Sequence, residues 1–210
     1  MVGVLLYLAA AIALAELARR HLEVAPDLTR KAVLAAVAIG ALAAVSRPGV
    51  PAAFFIASGT LYLSFRFELL ASVEDEGPTP GSVLAPLTLA LLLAVLGPSS
   101  PHIAGAAAVA MLGDGAGALV GRRRGSRRYH VLGHSRTMEG TLAFFLVASA
   151  AIAPVLRVLG GHDWHQAVAF ALIAGTVGAS VETISIHGTD NATVPLSVAV
   201  TLSLLTGAAA

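Results

Sequence analysis

Apolar residues in this chain arrive in unbroken blocks rather than in stripes, and that pattern admits few folds. Eight such segments can be read, at about 2–18, 32–46, 50–65, 83–97, 102–121, 140–159, 166–186 and 193–209. Blocks of this length with few charges suit helices that cross lipid. Composition agrees: 57% of the residues are hydrophobic and 12% charged, with a mean hydropathy of +0.83, whereas a soluble domain carries about 25% charged residues. The chain therefore reads as an all-α, polytopic integral membrane protein of about eight transmembrane helices, with residues 1–210 forming a single membrane domain. Several segments are nearer 16 than 20 residues, which implies short or tilted helices. Plentiful alanine and glycine with few aromatics suit close helix packing through small residues. The absence of cysteine excludes disulfides and cysteine-based metal or redox chemistry. Met1 to Leu17 is apolar, lacks a basic leader and is followed by Arg19 and Arg20, so it reads as a first span rather than a cleaved signal peptide.

Pro48, Pro51, Pro98 and Pro101 mark two tight connections, and Pro78 and Pro80 end an acidic loop. With eight spans, the loops at 19–31, 66–82, 122–139 and 187–192 share one side. They hold 11 of the 13 Lys and Arg residues, leaving only Arg47 and Arg157 on the other. The positive-inside rule makes the first side cytosolic and both termini extracytosolic. Most carboxylates lie on or near the same side, so the polar chemistry faces the cytosol. The alanine-rich composition suits a prokaryotic cell membrane.

The stretch from Gly113 to Gly125 holds an acidic residue, Asp114, inside an apolar, glycine-rich helix that runs into arginines. A carboxylate at membrane depth is costly and marks a functional site by default. Asp114 precedes the arginines by about two turns, or roughly 10 Å. There it can coordinate Mg²⁺, which prefers one or two carboxylates plus phosphate oxygens, or it can form an interhelical ion pair. Gly113 and Gly115 beside it allow a phosphate or metal to approach the backbone. Six arginines fall between Arg122 and Arg136. Guanidinium forks match phosphate oxygens, and basic juxtamembrane loops also set topology or touch anionic lipid. Arg122, Arg123 and Arg136 are the candidates for phosphate, with Arg127 and Arg128 left to solvent. Thr137 is a candidate N-cap for the next helix, which opens on Glu139 and Gly140. Amides at such an N-terminus are good phosphate partners. Glu182 sits near the end of the seventh segment, and Asp190-Asn191 opens the eighth. These can complete a metal site or orient a hydroxyl, although Asp190 can also serve as a cap. His130 and His134 have Gly133 between them in basic surroundings, which argues against a zinc pair. There is no GxxxxGK[ST] loop, and nothing calls for a nucleic-acid partner.

Taken together, three blocks resemble the polyprenol kinase family of membrane enzymes, which includes phytol and dolichol kinases. The first runs from Asp114 through Gly121-Arg122-Arg123-Arg124-Gly125. The second is Ser135-Arg136-Thr137-Met138-Glu139-Gly140-Thr141, with Arg136 in place of the family's usual lysine. The third is Glu182 followed by Gly188-Thr189-Asp190-Asn191-Ala192-Thr193-Val194-Pro195. A weaker block, Arg30-Lys31, is similar to the family's R-K-x-x-H, with Leu34 where the histidine would stand. The strong blocks span about residues 110–200, in matching order and spacing.

The resemblance implies a CTP-dependent kinase acting on the terminal hydroxyl of a long-chain isoprenoid alcohol, of the phytol, dolichol, farnesol or geranylgeraniol class. It implies Mg²⁺ as cofactor, held by Asp114 with Glu182 or Asp190. Gly113, Gly115, Gly121, Arg122, Arg123, Arg136, Thr137 and Asn191 would contact the nucleotide, and Glu139 or Asp190 would orient or deprotonate the hydroxyl. The first two blocks also look like those of phosphatidate cytidylyltransferases, but Asp190-Asn191 with Pro195 favours the kinase. A transporter or lipid-binding protein is the non-enzymatic alternative. Oligomeric state is not legible in the sequence.

Overall fold

The computed structural model describes residues 1–22, 26–67, 81–186 and 188–207. Its helices are α1 (Val2–Leu22), α2 (Pro26–Ala43), α3 (Val50–Arg66), α4 (Gly81–Val95), α5 (Pro101–Ala110), α6 (Leu112–Arg124), α7 (Met138–Leu159), α8 (Trp164–Ile184) and α9 (Asp190–Thr206). Every apolar segment read from the sequence coincides with a helix to within a few residues, and the segment at 102–121 is the α5–α6 pair. The four runs Val2–His21, Pro101–Arg124, Met138–Leu159 and Trp164–Ile184 are long and apolar enough to cross a membrane, and Val50–Ser64 and Val83–Val95 are shorter apolar helices. The acidic loop with Glu68, Glu74, Asp75 and Glu76 lies outside the described residues, as do Glu23 and His187.

The outer surface is what lipid requires. Large apolar side chains such as Leu6, Leu14, Val158 and Leu204 are exposed, which in water would be an aggregation hazard. Hydroxyls on the outer faces, including those of Thr60, Thr176 and Ser180, donate to carbonyls one turn back in their own helix, so these groups do not depend on lipid for a partner. The centre is α5. Pro101 opens it in the first turn, where a missing N–H costs nothing, and every residue from Ile103 to Ala110 is buried. A helix buried on all sides by α2, α7 and α9 can be built only from small side chains, which explains the alanine run.

At Met111 the rod breaks. The amides of Met111 and Asp114 bond to carbonyls three residues back, at Ala108 and Met111, a local tightening that separates α5 from α6. Gly113, Gly117 and Gly121 then form one stripe of α6 against α7. A Cβ at Gly113 would lie 2.9 Å from the Phe144 carbonyl oxygen, one at Gly117 3.1 Å from that of Gly140, and one at Gly121 2.9 Å from Thr137 Oγ1. These glycines let two backbones touch. The close approach expected at Gly113 is therefore made to α7 rather than to a ligand.

Residues 122–139, read as a basic loop, contain a two-stranded antiparallel hairpin: β1 (Arg128–Val131) pairs with β2 (His134–Thr137), Tyr129 opposite Arg136. Leu132 and Gly133, at φ 48° and 82°, make the two-residue turn whose twist suits a hairpin.

The α6–α7 seam carries a test. A Cβ at Gly140 would lie 2.9 Å from the Gly117 carbonyl and 3.3 Å from Gly121 Cα. Gly140→Ala is expected to destabilise by about 1–3 kcal/mol, read as a lower thermal midpoint in detergent. Gly59→Ala, where nothing lies within 4 Å, is expected to leave the midpoint unchanged or raise it.

Candidate active site

One end of the bundle opens into a cavity of about 760 Å³ whose walls come from six places in the sequence. Helix α2 contributes Arg30 and Lys31. Asp114, Gly117, Gly121 and Arg122 come from α6. The hairpin supplies Arg128, His134, Ser135, Arg136 and Thr137, and the first turn of α7 supplies Gly140 and Thr141. Glu182 and Ser185 close α8, and Gly188, Asp190 and Asn191 open α9.

Three carboxylates meet here. One oxygen each from Asp114, Glu182 and Asp190 lies within 4.8 Å of the others. Asp114 and Glu182 are buried, at 9% and 7% exposure. Each finds a cation from a distant segment. Lys31 Nζ pairs with Asp114 Oδ2, so the interhelical ion pair foreseen as one option for Asp114 exists, with a lysine as partner. Arg136 Nη1 lies 2.7 Å from Glu182 Oε1. Its Nη2 donates to the carbonyls of Glu182, at 3.2 Å, and Ser185, at 3.5 Å. Both carbonyls lie at the C-terminus of α8, where a cation is favoured, and that of Glu182 also accepts the Ser185 amide. Arg136 Nε is buried with no hydrogen-bond partner among the described residues, a donor able to meet an oxyanion. Asp190 Oδ1 accepts the Asn191 amide at 3.0 Å; the α9 cap position itself is Thr189.

The hairpin is pinned at three points. Thr137 is the N-cap of α7, accepting the Gly140 amide at 3.1 Å. Tyr129 OH shares hydrogen bonds with Thr141 and Thr183, at 2.5 and 3.3 Å. Glu139 accepts from Ser126 Oγ at 2.6 Å and from the Arg127 amide at 3.3 Å. On the other flank, Gly188 has φ 79° and packs so closely that a Cβ would lie 3.0 Å from Gly81 Cα; only glycine fits both demands.

Of the residues singled out from the sequence, the structure brings together Asp114, Glu182, Asp190, Gly121, Arg122, Arg136, Thr137 and Asn191. Gly113, Gly115, Arg123 and Glu139 do not line the cavity. Gly113 is in the α6–α7 seam, Gly115 faces Lys31 Cβ at ordinary contact distance, Arg123 is exposed, and Glu139 is occupied by the Ser126–Arg127 turn. Arg128, assigned to solvent, lines the cavity. Arg30 and Lys31, which the sequence offered only as a weaker block of the resemblance and with no role in the site, also line the cavity.

The walls carry five cations (Arg30, Lys31, Arg122, Arg128 and Arg136) against three carboxylates. The excess of two positive charges matches a nucleoside triphosphate with one divalent cation. The donor set also fits that cation: oxygen ligands only, from three chain segments, converging on one point, as Mg²⁺ prefers. No family model matches this chain, and no solved structure matches it. It is 34% identical over 201 residues, 90% of its length and 84% of the relative's, to a phytol kinase from Synechocystis sp. (strain ATCC 27184 / PCC 6803 / Kazusa). Fold and site thus define an integral membrane protein with a polyanion-sized cavity at one end of its helices. The chain belongs to the polyprenol kinase family, of which that phytol kinase is a member.

The anchoring of the hairpin is testable by itself. Glu139→Ala is expected to accelerate amide hydrogen exchange at Ser126 to Arg128 while leaving exchange in α8 unchanged. Equal exchange in both proteins would remove the anchoring role.

Proposed function

We propose that this protein is a CTP-dependent kinase that phosphorylates the terminal hydroxyl of a long-chain prenyl alcohol, phytol or a relative of it. The observation that carries the reading is the convergence of Asp114, Glu182 and Asp190 inside a cavity with excess positive charge. Kinase chemistry is supported by the phytol kinase relative, and CTP as donor by the resemblance of the three sequence blocks. In this reading all eight helical rods, with α5 and α6 counted as one, cross the bilayer. Both termini lie outside, and the cavity opens to the cytosol, as the arginine distribution supports.

Phosphoryl transfer depends mostly on positioning and charge neutralisation. Asp114, Glu182 and Asp190 would hold Mg²⁺, which would supply charge neutralisation for the phosphates. Arg122, Arg128 and Arg136 take the phosphate chain, with the α7 N-terminal amides beside Gly140 and Thr141. Glu139 is tied to the hairpin base, so the hydroxyl proton would go to Asp190, through the carboxylate oxygen not given to Mg²⁺. The alcohol oxygen bonds to the γ-phosphorus, the bond from that phosphorus to the β–γ bridging oxygen breaks, and CDP leaves with the electron pair. Apolar helix faces hold the prenyl tail in the bilayer while the nucleotide enters from water.

The test uses purified protein in lipid with Mg²⁺, γ-labelled CTP and a panel of prenyl alcohols. Label in a lipid phosphate is the expected result. Pyrophosphate release with formation of a CDP-lipid from phosphatidic acid would replace the kinase by a cytidylyltransferase. Asp114→Asn is expected to lower transfer at least 100-fold with the protein still folded in membranes. Arg136→Ala is expected to cost far more activity than Arg123→Ala, because only Arg136 lines the cavity; equal losses would undo that division.

A further inference from the structure

Lys31 is the only lysine in a chain with twelve arginines. The sequence uses arginine everywhere else that a cation is needed, at loop surfaces, helix ends and cavity walls. The single exception is the residue whose ammonium pairs with buried Asp114.

The two cations on the carboxylate cluster are held differently. Arg136 is fixed: it spans Glu182 Oε1 and two backbone carbonyls at the end of α8. Lys31 makes a single point contact, its ammonium on Asp114 Oδ2, with the charges of Glu182 and Asp190 also acting on it. Its side chain is 12% exposed, and it lies alongside Gly115, where even an added Cβ would only just reach Lys31 Cβ, at 4.0 Å. That leaves room for the stem to move along α6. Arginine makes forked, preorganised contacts, whereas lysine is a compact charge on a flexible four-carbon stem. Lys31 also lines the same cavity as Arg122 and Arg136, so a phosphate oxygen there is within its sweep.

We propose that Lys31 is a displaceable counter-ion: it neutralises Asp114 before nucleotide arrives, gives up that carboxylate to the incoming divalent cation, and moves its ammonium onto the nucleotide's phosphates. The proposal rests on the reading of Asp114, Glu182 and Asp190 as a metal site. It gives Lys31 two opposing effects, competition with the metal when nucleotide is absent and cooperation with it when nucleotide is bound. The chain thereby disfavours a tightly held metal without its nucleotide, and so couples the two bindings. Gly115 acquires a role as well, as the space in which the lysine moves.

The test is Mn²⁺ binding to the full chain in lipid nanodiscs, without nucleotide, followed by the electron paramagnetic resonance of free Mn²⁺. Lys31→Met keeps the bulk and removes the charge. It is expected to bind Mn²⁺ about tenfold more tightly than wild type, the factor that 1.4 kcal/mol of lost competition gives, while prenol phosphorylation falls at least tenfold. Lys31→Arg keeps the charge and strengthens its grip on Asp114. It is expected to bind Mn²⁺ more weakly than wild type and also to lose activity. That ordering needs a movable charge; a purely structural ion pair predicts Lys31→Arg indistinguishable from wild type. Lys31→Arg also decides the matter if Lys31→Met does not fold. Unchanged Mn²⁺ affinity in Lys31→Arg and in folded Lys31→Met, with Asp114→Asn still abolishing binding, would overturn the role of Lys31 and leave the metal site standing. No Mn²⁺ binding at millimolar metal by either wild type or folded Lys31→Met would overturn both.

Discussion

Three carboxylate groups held within 4.8 Å of one another are the constraint around which the rest of the structure is arranged. Two unit negative charges at that separation repel by roughly 3.5 kcal/mol at an effective dielectric constant of 20, and burial of Asp114 and Glu182 adds a desolvation cost. Such a cluster exists only where cations are brought to it. Both that do so come from far along the chain: Lys31 is 83 residues from Asp114, and Arg136 is 46 from Glu182. The contacts α2–α6 and hairpin–α8 are thus consequences of the cluster. Remove either cation and a buried charge is left without its partner, which costs far more than an intact pair contributes.

Arg136 can do this because the segment carrying it is folded. A basic loop of six arginines would otherwise stay extended in water through its own repulsion. Here Thr137 ends the hairpin by capping α7, Tyr129 ties β1 to α7 and α8, and Glu139 closes the base through Ser126 and Arg127. Proximity in sequence does not decide which arginines reach the cavity. Arg128 and Arg136 are brought to the cavity, while Arg123, one residue beyond Arg122 on α6, points elsewhere.

The helices and the three carboxylates were legible in the sequence because each signal is local. Apolar block length gives a helix directly, and an acidic residue within such a block is conspicuous wherever it sits. The hairpin was not legible. Arg128 to Val131 and His134 to Thr137 lack apolar alternation, and Leu132 is a poor marker for a turn that needs positive φ. The glycines of α6 were visible, but their use was not: a glycine that admits a phosphate and one that admits a helix look alike until the neighbour is known. Lys31 was hidden for a related reason. Its partner is set by tertiary packing, and nothing in Arg30-Lys31 itself says which carboxylate will face it.

Helix direction explains why the cavity forms at this end of the bundle. Helices α7 and α9 both begin there, so their unpaired amides and the positive ends of their dipoles face it. Helix α8 ends there, and its exposed carbonyls would oppose an anion if Arg136 did not cover them. Arg136 offsets the negative end of α8, as Arg122 to Arg124 in its last turn offset that of α6, whose C-terminal turn also reaches the cavity. The three chain directions then act together, and an anion can be held below the helix ends without a dedicated soluble domain. Depth follows from the break at Met111. With α6 restarting there, Asp114 falls in its first turn and Arg122 in its last, so one short helix carries a buried carboxylate and an exposed arginine of the same cavity. A lipid alcohol confined to the bilayer and a nucleotide confined to water can meet only at such an intermediate level.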